Sequence, residues 1–157
     1  GYNYGARNRH RFTSTMKVGS MIALVIMALG TVLFWVAPVQ LLDIFKEAGQ
    51  ANADPELLRI GVPALRIISL CFLPAALGIV FSTAFQATGM GVRSLIISLL
   101  RQLVLILPVA YLLSLTGEVT NVWYAFPIAE AVSLVVSIVL YLNLYKKHII
   151  TMKKPIE

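Results

Sequence analysis

The sequence predicts an all-α, polytopic transmembrane helical bundle with four membrane-spanning helices. Hydrophobic residues make up 59% of the chain and charged residues only 13%, whereas a soluble domain carries about a quarter charged residues. A helix that crosses a bilayer needs about 20 mostly apolar residues. Four stretches reach that length, and they cover residues 14–45, 57–87, 93–115 and 120–145.

The basic residues are divided unevenly between the two ends of these helices. If the chain crosses four times, nine of the thirteen lysines and arginines fall on one side, namely Arg7, Arg9, Arg11, Lys17, Arg93, Lys146, Lys147, Lys153 and Lys154. The positive-inside rule places that side in the cytoplasm. We therefore expect a cytoplasmic loop at 1–13, a transmembrane region at 14–145 and a cytoplasmic basic tail at 146–157. The expected location is the plasma membrane, as a multi-pass protein of a prokaryotic inner membrane with both ends cytoplasmic.

The first two apolar stretches contain prolines that predict irregular helices. Pro38 lies near the outer end of the first stretch, where it would kink the helix or mark its return to the interface. A continuous second helix starting at Asp54-Pro55 would be about 50 Å long, well beyond a hydrocarbon core of about 30 Å. We therefore expect it to tilt, to extend past the membrane or to break, with Pro63, Pro74 and Gly78 as the candidate break points.

The last two stretches form a predicted hairpin. Gly89-Met90-Gly91 is a tight turn before the third stretch, and Thr116-Gly117-Glu118 is a turn before the fourth. Each stretch contains an internal proline, Pro108 in the third and Pro127 in the fourth. Prolines are frequent in membrane helices in general, and bent or discontinuous helices also build binding sites near the midplane of transporters. Both interpretations remain open at this stage.

Three charged residues lie deep within the predicted spans: Arg66, Arg101 and Glu130. At a rise of 1.5 Å per residue, each lies roughly 14–15 Å below the nearer end of its helix. A lone charge at that depth costs at least about 2.5–3.5 kcal/mol. We therefore expect Glu130 to pair with Arg101 or Arg66, either as a static pair that fixes helix packing or as a group that couples transport to an ion. Snorkelling to the interface, or a partner on a neighbouring helix outside this chain, is the third alternative.

Polar and small residues predict faces of the last two helices that contact protein or water. The third stretch places Ser94, Ser98, Arg101 and Gln102 on one helical face. The fourth has small residues at every fourth position, Ala125, Ala129, Ser133 and Ser137, which allow another helix to approach closely. The candidates for lining a cavity are Gln86, Ser98, Gln102, Tyr111 and Phe126.

Several functions are disfavoured by the residues present. No basic patch is interleaved with the aromatic residues that stack on bases, so we expect no nucleic-acid partner. The chain has one cysteine, Cys71, and two histidines in its basic flanks, without metal-ligand spacing. Deep within the spans there is a single acid, Glu130, so we predict no catalytic residues, no metal site and no enzyme activity.

A series of short motifs resembles the C-terminal part of the MATE family, the multidrug and toxic compound extrusion transporters. It begins with Gly1-Tyr2-Asn3-Tyr4-Gly5-Ala6-Arg7 and continues with Phe85-Gln86-Ala87-Thr88-Gly89, Arg93-Ser94, Leu100-Arg101-Gln102, Leu107-Pro108, Val122-Trp123 and Phe126-Pro127-Ile128-Ala129-Glu130. Their order and spacing over nearly the whole chain carry the resemblance.

The resemblance implies a protein of twelve helices in two six-helix lobes, of which this chain would be the last four. The missing N-terminal helices and the lipid bilayer would then be its partners. Members of the family export cationic amphipathic compounds in exchange for protons or sodium ions by alternating access, with no other cofactor. Two alternatives remain: a lipid or lipid-linked oligosaccharide flippase of the same superfamily, and a non-transporting membrane subunit.

Overall fold

A computed structural model describes residues 1–46 and 53–152, and these residues form helices and turns without a strand. The predicted all-α fold is therefore confirmed. The helices are α1 (Tyr2–Gly5), α2 (Arg9–Val36), α3 (Pro38–Leu42), α4 (Pro55–Ser69), α5 (Phe72–Ala87), α6 (Gly91–Leu99), α7 (Leu107–Ser114), α8 (Val119–Val122) and α9 (Ala125–Leu144). A 3₁₀ turn covers Asp43–Phe45, a π segment covers Leu100–Ile106 and a C-terminal π turn covers Tyr145–Ile149.

The described residues supply up to four membrane spans. Arg9–Val36, Gly91–Ser114 and Val119–Ile149 are each long and apolar enough to cross a bilayer. The pair α4 and α5 counts as a fourth span that is bent by 50°. The last span continues to Ile149, four residues beyond the predicted boundary, because Lys146, Lys147 and His148 extend it through the π turn. Part of the predicted basic tail is therefore helical, and residues 153–157 lie outside the described residues, as do 47–52.

The second span breaks between Ser69 and Phe72, in the turn before Pro74, one of the three candidate break points. Pro63 lies inside α4 and Gly78 inside α5. Pro74 accounts for the break, because a proline cannot donate to the carbonyl four residues earlier, here that of Leu70, and its ring clashes with it. Shorter bonds close α4 instead: Leu70 N donates to Ile67 O at 3.1 Å, and Cys71 N donates to Ile68 O at 3.0 Å.

The first span ends where Pro38 predicts an irregularity. α2 stops at Val36, and α3 begins with Pro38 as its first residue, a position that suits a residue without an N–H group. Near this end, the Trp35 indole donates a hydrogen bond of 3.1 Å to Ser69 Oγ, and the Ser69 hydroxyl donates to Arg66 O at 2.8 Å. The tip of α2 is thereby attached to the break in the second span.

The turn between α5 and α6 is a Schellman motif. Met90 N donates to Phe85 O at 2.8 Å, and Gly89 N donates to Gln86 O at 3.1 Å. Gly89 has a φ of +79°, in the left-handed region where glycine has no steric penalty. Met90 then packs against a core formed by Phe85, Ile97 and Leu144. This turn brings α6 back along α5.

The helix α5 lies at the centre of the bundle. It contacts α2 on one side and α6 and α9 on the other. On the side facing α9, Phe81 stacks on Tyr141 with ring centroids 4.7 Å apart. The π segment lies against α9, so α5, α9 and the π segment surround a common volume within the membrane spans.

Candidate functional site

An ion pair joins the π segment to α9 inside the bundle. The Arg101 Nη1 atom lies 3.2 Å from Glu130 Oε2 and 3.4 Å from Glu130 Oε1. The Glu130 side chain is 8% exposed and that of Arg101 28% exposed. Arg101, rather than Arg66, is therefore the partner of the one acid deep within the predicted spans, and the cost of burying either charge is reduced by the other.

The pair borders a small polar cavity of about 150 Å³ between α5, α6, the π segment and α9. Besides Arg101 and Glu130, the lining includes Gln86 and Ser98, two of the predicted cavity residues. The lining also includes hydroxyls from Ser82 and Thr83, in a stretch whose polarity suits a cavity mouth, and from Ser133, which the sequence indicated only as a packing residue. A buried acid, its cation and several hydroxyls thus face one partly open cavity.

Gly78 makes the room that the Glu130 carboxylate occupies. A Cβ atom at position 78 would lie 3.2 Å from Glu130 Oε1, which is closer than ordinary van der Waals contact. The sequence suggested Gly78 as a helix break, but the structure keeps it in the middle of α5. Its function in the site is to let the carboxylate approach the helix backbone.

A hydrogen-bond network extends from the cavity toward the turn between α5 and α6. The Ser82 and Ser94 hydroxyls are hydrogen-bonded to each other, and the Gln86 amide donates to Ser94 Oγ at 3.0 Å. Ser94 is buried, so these contacts satisfy a hydroxyl that would otherwise be costly within the bundle. The network connects the ion-pair cavity with the basic end of the helices.

The third span contributes Arg101 to the cavity from its π segment. A π-helix has a wider turn than an α-helix, and such segments often lie at functional sites. The segment ends one residue before α7 and two before Pro108, which cannot donate to a carbonyl in the preceding turn. Arg101 of this segment lines the cavity with Ser98, as the helical spacing predicted, whereas Gln102 is exposed and does not line it. The grouping of Gln102 with this face is therefore wrong.

Three further predicted site residues lie away from this cavity. Arg66 is exposed near the end of α4, because the break at Leu70 makes α5, and not α4, the helix that faces Glu130. Tyr111 is 67% exposed on α7. Phe126 stacks near Trp123 at a centroid distance of 6.4 Å. A cavity role for Tyr111 and Phe126 stays a prediction that this arrangement does not support.

The stripe of small residues on α9 packs as predicted. Ala125, Ala129 and Ser137 are fully buried and Ser133 is 2% exposed. The Ser137 hydroxyl donates to Ser133 O at 2.8 Å, so it needs no partner from another helix. Glu130 follows Ala129 directly and is thereby held on the buried side of α9.

These features define a helical membrane protein with an ion pair and a polar cavity within its spans, the arrangement expected where charges are conserved for transport of ions or solutes. The profile of the family described as MatE matches residues 1–112. The chain belongs to the MatE family of transporters. No curated protein and no solved structure matches it.

Proposed function

We propose that the chain is the C-terminal part of a secondary active antiporter that exports cationic amphipathic compounds in exchange for H⁺ or Na⁺. The observation that carries this proposal is the Arg101–Glu130 pair beside its polar cavity. In this proposal, the chain supplies the last four of twelve helices, and Glu130 binds the coupling ion.

The geometry of the pair favours an exchangeable contact over a permanent one. A strong arginine–carboxylate pair uses two nitrogens in a fork and distances of about 2.7–2.9 Å. Here the single Nη1 atom is shared between both carboxylate oxygens, at 3.2 and 3.4 Å. A proton or sodium ion arriving from the cavity would therefore compete with a weak hydrogen-bonding arrangement. Cation binding on Glu130 would release Arg101 and change the contact between the π segment and α9.

The cavity beside Glu130 is too small for a drug-sized substrate, so in this proposal the substrate path lies elsewhere. A volume of about 150 Å³ lies below the 300–1,000 Å³ or so of sites for drug-sized molecules. A groove of about 710 Å³ between α2 and α9 has mostly apolar walls, including Met21, Leu24 and Phe81. Its size and its aromatic residues suit an amphipathic compound, for which cation–π contacts contribute about 0.5–2 kcal/mol each.

The broken helices supply places where the bundle could rearrange. The second span bends by 50° beside Ser69, and the third contains the π segment that carries Arg101. Alternating access in many transporters uses discontinuous helices around a midplane site. We propose that these two irregular segments move when the ion on Glu130 is exchanged.

Transport by the protein expressed from its complete reading frame tests the proposal. Proteoliposomes would be loaded with a cationic dye, and dye movement would be followed after an imposed pH or Na⁺ gradient. We expect Glu130→Gln to abolish gradient-driven movement, while the matched Glu118→Gln, which neutralises an exposed acid of the turn before α8, retains it. Coupled transport that is unchanged in folded Glu130→Gln would remove the coupling role. A reading frame without eight further apolar spans upstream would contradict the two-lobed arrangement.

A further inference from the structure

A second polar cavity lies at the basic end of the bundle, where His148 is 18 residues after Glu130 along the last span. Its volume is about 360 Å³, and it lies between the turn after α1 and the end of the last span. The lining residues are Tyr4, Gly5, Arg7, His148, Thr151 and Met152. Two segments that are more than 130 residues apart in the sequence thus form one pocket.

The polar groups of this pocket are mostly hydrogen-bond donors without a protein partner. Neither the Arg7 guanidinium nor the His148 imidazole has a hydrogen bond or ion pair with the residues the structure describes. Thr151 differs, because its hydroxyl already contacts Lys147 O at 3.3 Å and His148 O at 3.2 Å. An arginine presents five donors that match the oxygens of a phosphate group.

Arg7 lies in the turn that closes α1. Its φ is +52°, the one non-glycine residue in the left-handed region among the described residues. Glycine would adopt this conformation without a steric penalty. The turn is held by Arg7 N donating to Tyr4 O and Asn8 N donating to Asn3 O, both at 3.0 Å. These two bonds form a Schellman motif with Arg7 in the left-handed position that glycine usually takes, so the turn fixes the backbone from which the Arg7 side chain extends.

The surroundings of the pocket are uniformly cationic. Arg9, Arg11, Lys146 and Lys147 flank it in sequence. The described acids lie elsewhere: Asp43, Asp54, Glu56 and Glu118 are at the opposite end of the spans, and Glu130 is inside the bundle. The positive charge around the pocket would attract an anion, because no acid of the described residues lies there to balance it.

We propose that this pocket binds the phosphate headgroup of an anionic phospholipid through Arg7 and His148. The pocket lies where α2 begins and the last span ends, which is the level of lipid headgroups, and Ile150 beside it is 46% exposed. Basic pockets between helices at the cytoplasmic surface are sites for such headgroups. Free phosphate has the same chemistry, and the experiment distinguishes the two sources.

Native mass spectrometry of the protein in neutral detergent tests this inference. The protein is titrated separately with phosphatidylglycerol, phosphatidylcholine and inorganic phosphate. We expect tighter binding of phosphatidylglycerol than of phosphatidylcholine, and a loss of affinity for phosphatidylglycerol of about fivefold in Arg7→Gly and about threefold in His148→Ala. Arg11→Gln removes a charge from the same end but outside the pocket, and it should change the affinity less than about twofold.

The variants separate lipid binding from folding. Arg7→Gly suits the left-handed backbone, so its thermal unfolding in detergent should resemble that of the parent protein while its lipid affinity falls. Arg7→Lys keeps the charge and should retain part of the affinity even if the glycine variant unfolds. Equal losses in Arg7→Gly and Arg11→Gln, or equal binding of both lipids, would overturn the proposed site. Binding of inorganic phosphate that displaces phosphatidylglycerol would assign the pocket to a free anion and reject the lipid.

Discussion

Two arginine–glutamate pairs of the described residues have the same chemistry and opposite surroundings. Arg59 and Glu56 are 2.7 Å apart, one turn apart on α4, with side chains 71% and 61% exposed. Arg101 and Glu130 are 3.2 Å apart and join two spans, with side chains 28% and 8% exposed. The shorter, better-formed pair is the less important one, because water and salt screen exposed charges. The internal pair matters more for stability, although its atoms lie farther apart, because its side chains are buried and have no other charged partner among the described residues.

The largest expected difference follows from removing one arginine of each pair. Arg101→Ala leaves the Glu130 carboxylate buried without its cation, which costs about 3–5 kcal/mol of unfolding free energy. Arg59→Ala leaves Glu56 in water and should have little effect. SDS titration of the protein in mixed micelles measures both. Similar losses in the two variants would show that the internal pair is solvated and that its burial has no energetic consequence.

Neutralising both members of the internal pair should restore much of that loss. In Arg101→Gln/Glu130→Gln, two amides replace two charges, and neutral replacements of buried pairs are often tolerated. We expect a coupling free energy of about 2 kcal/mol in the double-mutant cycle, with a much smaller coupling in the matching cycle at Arg59 and Glu56. The same double variant should still fail in gradient-driven transport if Glu130 binds the coupling ion. An additive cycle at Arg101 and Glu130 would contradict a direct interaction.

A smaller effect is expected when the space beside Glu130 is filled. Gly78→Ala places a methyl group 3.2 Å from Glu130 Oε1 and should destabilise the protein by about 1 kcal/mol. Gly19→Ala is the matched control on α2, because a Cβ atom there meets nothing within 4 Å. That control should be neutral or slightly stabilising, since alanine is the better helix former. Equal unfolding free energies for the two variants would show that the carboxylate moves away without cost.

Salt should produce the smallest difference. Raising NaCl screens charges in water but acts much less on a pair inside the bundle. The effect of Arg59→Ala should therefore shrink further at high salt, whereas the effect of Arg101→Ala should persist. The measurement is the same SDS titration at two NaCl concentrations. A strong salt dependence at Arg101 would indicate that ions enter its cavity freely, and a Na⁺-specific dependence would instead support sodium as the coupling ion.

Much of the internal site could be predicted from the residues alone. Glu130 needed a cation because an unpaired charge in a membrane span is costly, and the two arginines within the spans were the available candidates. The small-residue stripe from Ala125 to Ser137 was predicted to be buried, and it is. Gly78 was predicted to be a candidate helix break, and that prediction was wrong. The sequence does not show which side chain lies opposite a glycine, so it could not reveal that Gly78 makes room for Glu130.

Hydrophobicity and the cost of burying charge are properties of each residue and its near neighbours, so the sequence by itself determined the class of protein, the four apolar spans and the need for a buried ion pair. The tertiary structure decided which arginine forms that pair. The break at Leu70 placed α5 beside Glu130, and the π segment brought Arg101 within 3.2 Å of the carboxylate while Gln102 stayed exposed. Those choices depend on backbone hydrogen bonds shifted by Pro74 and Pro108 and on packing between distant helices, which helical periodicity does not contain.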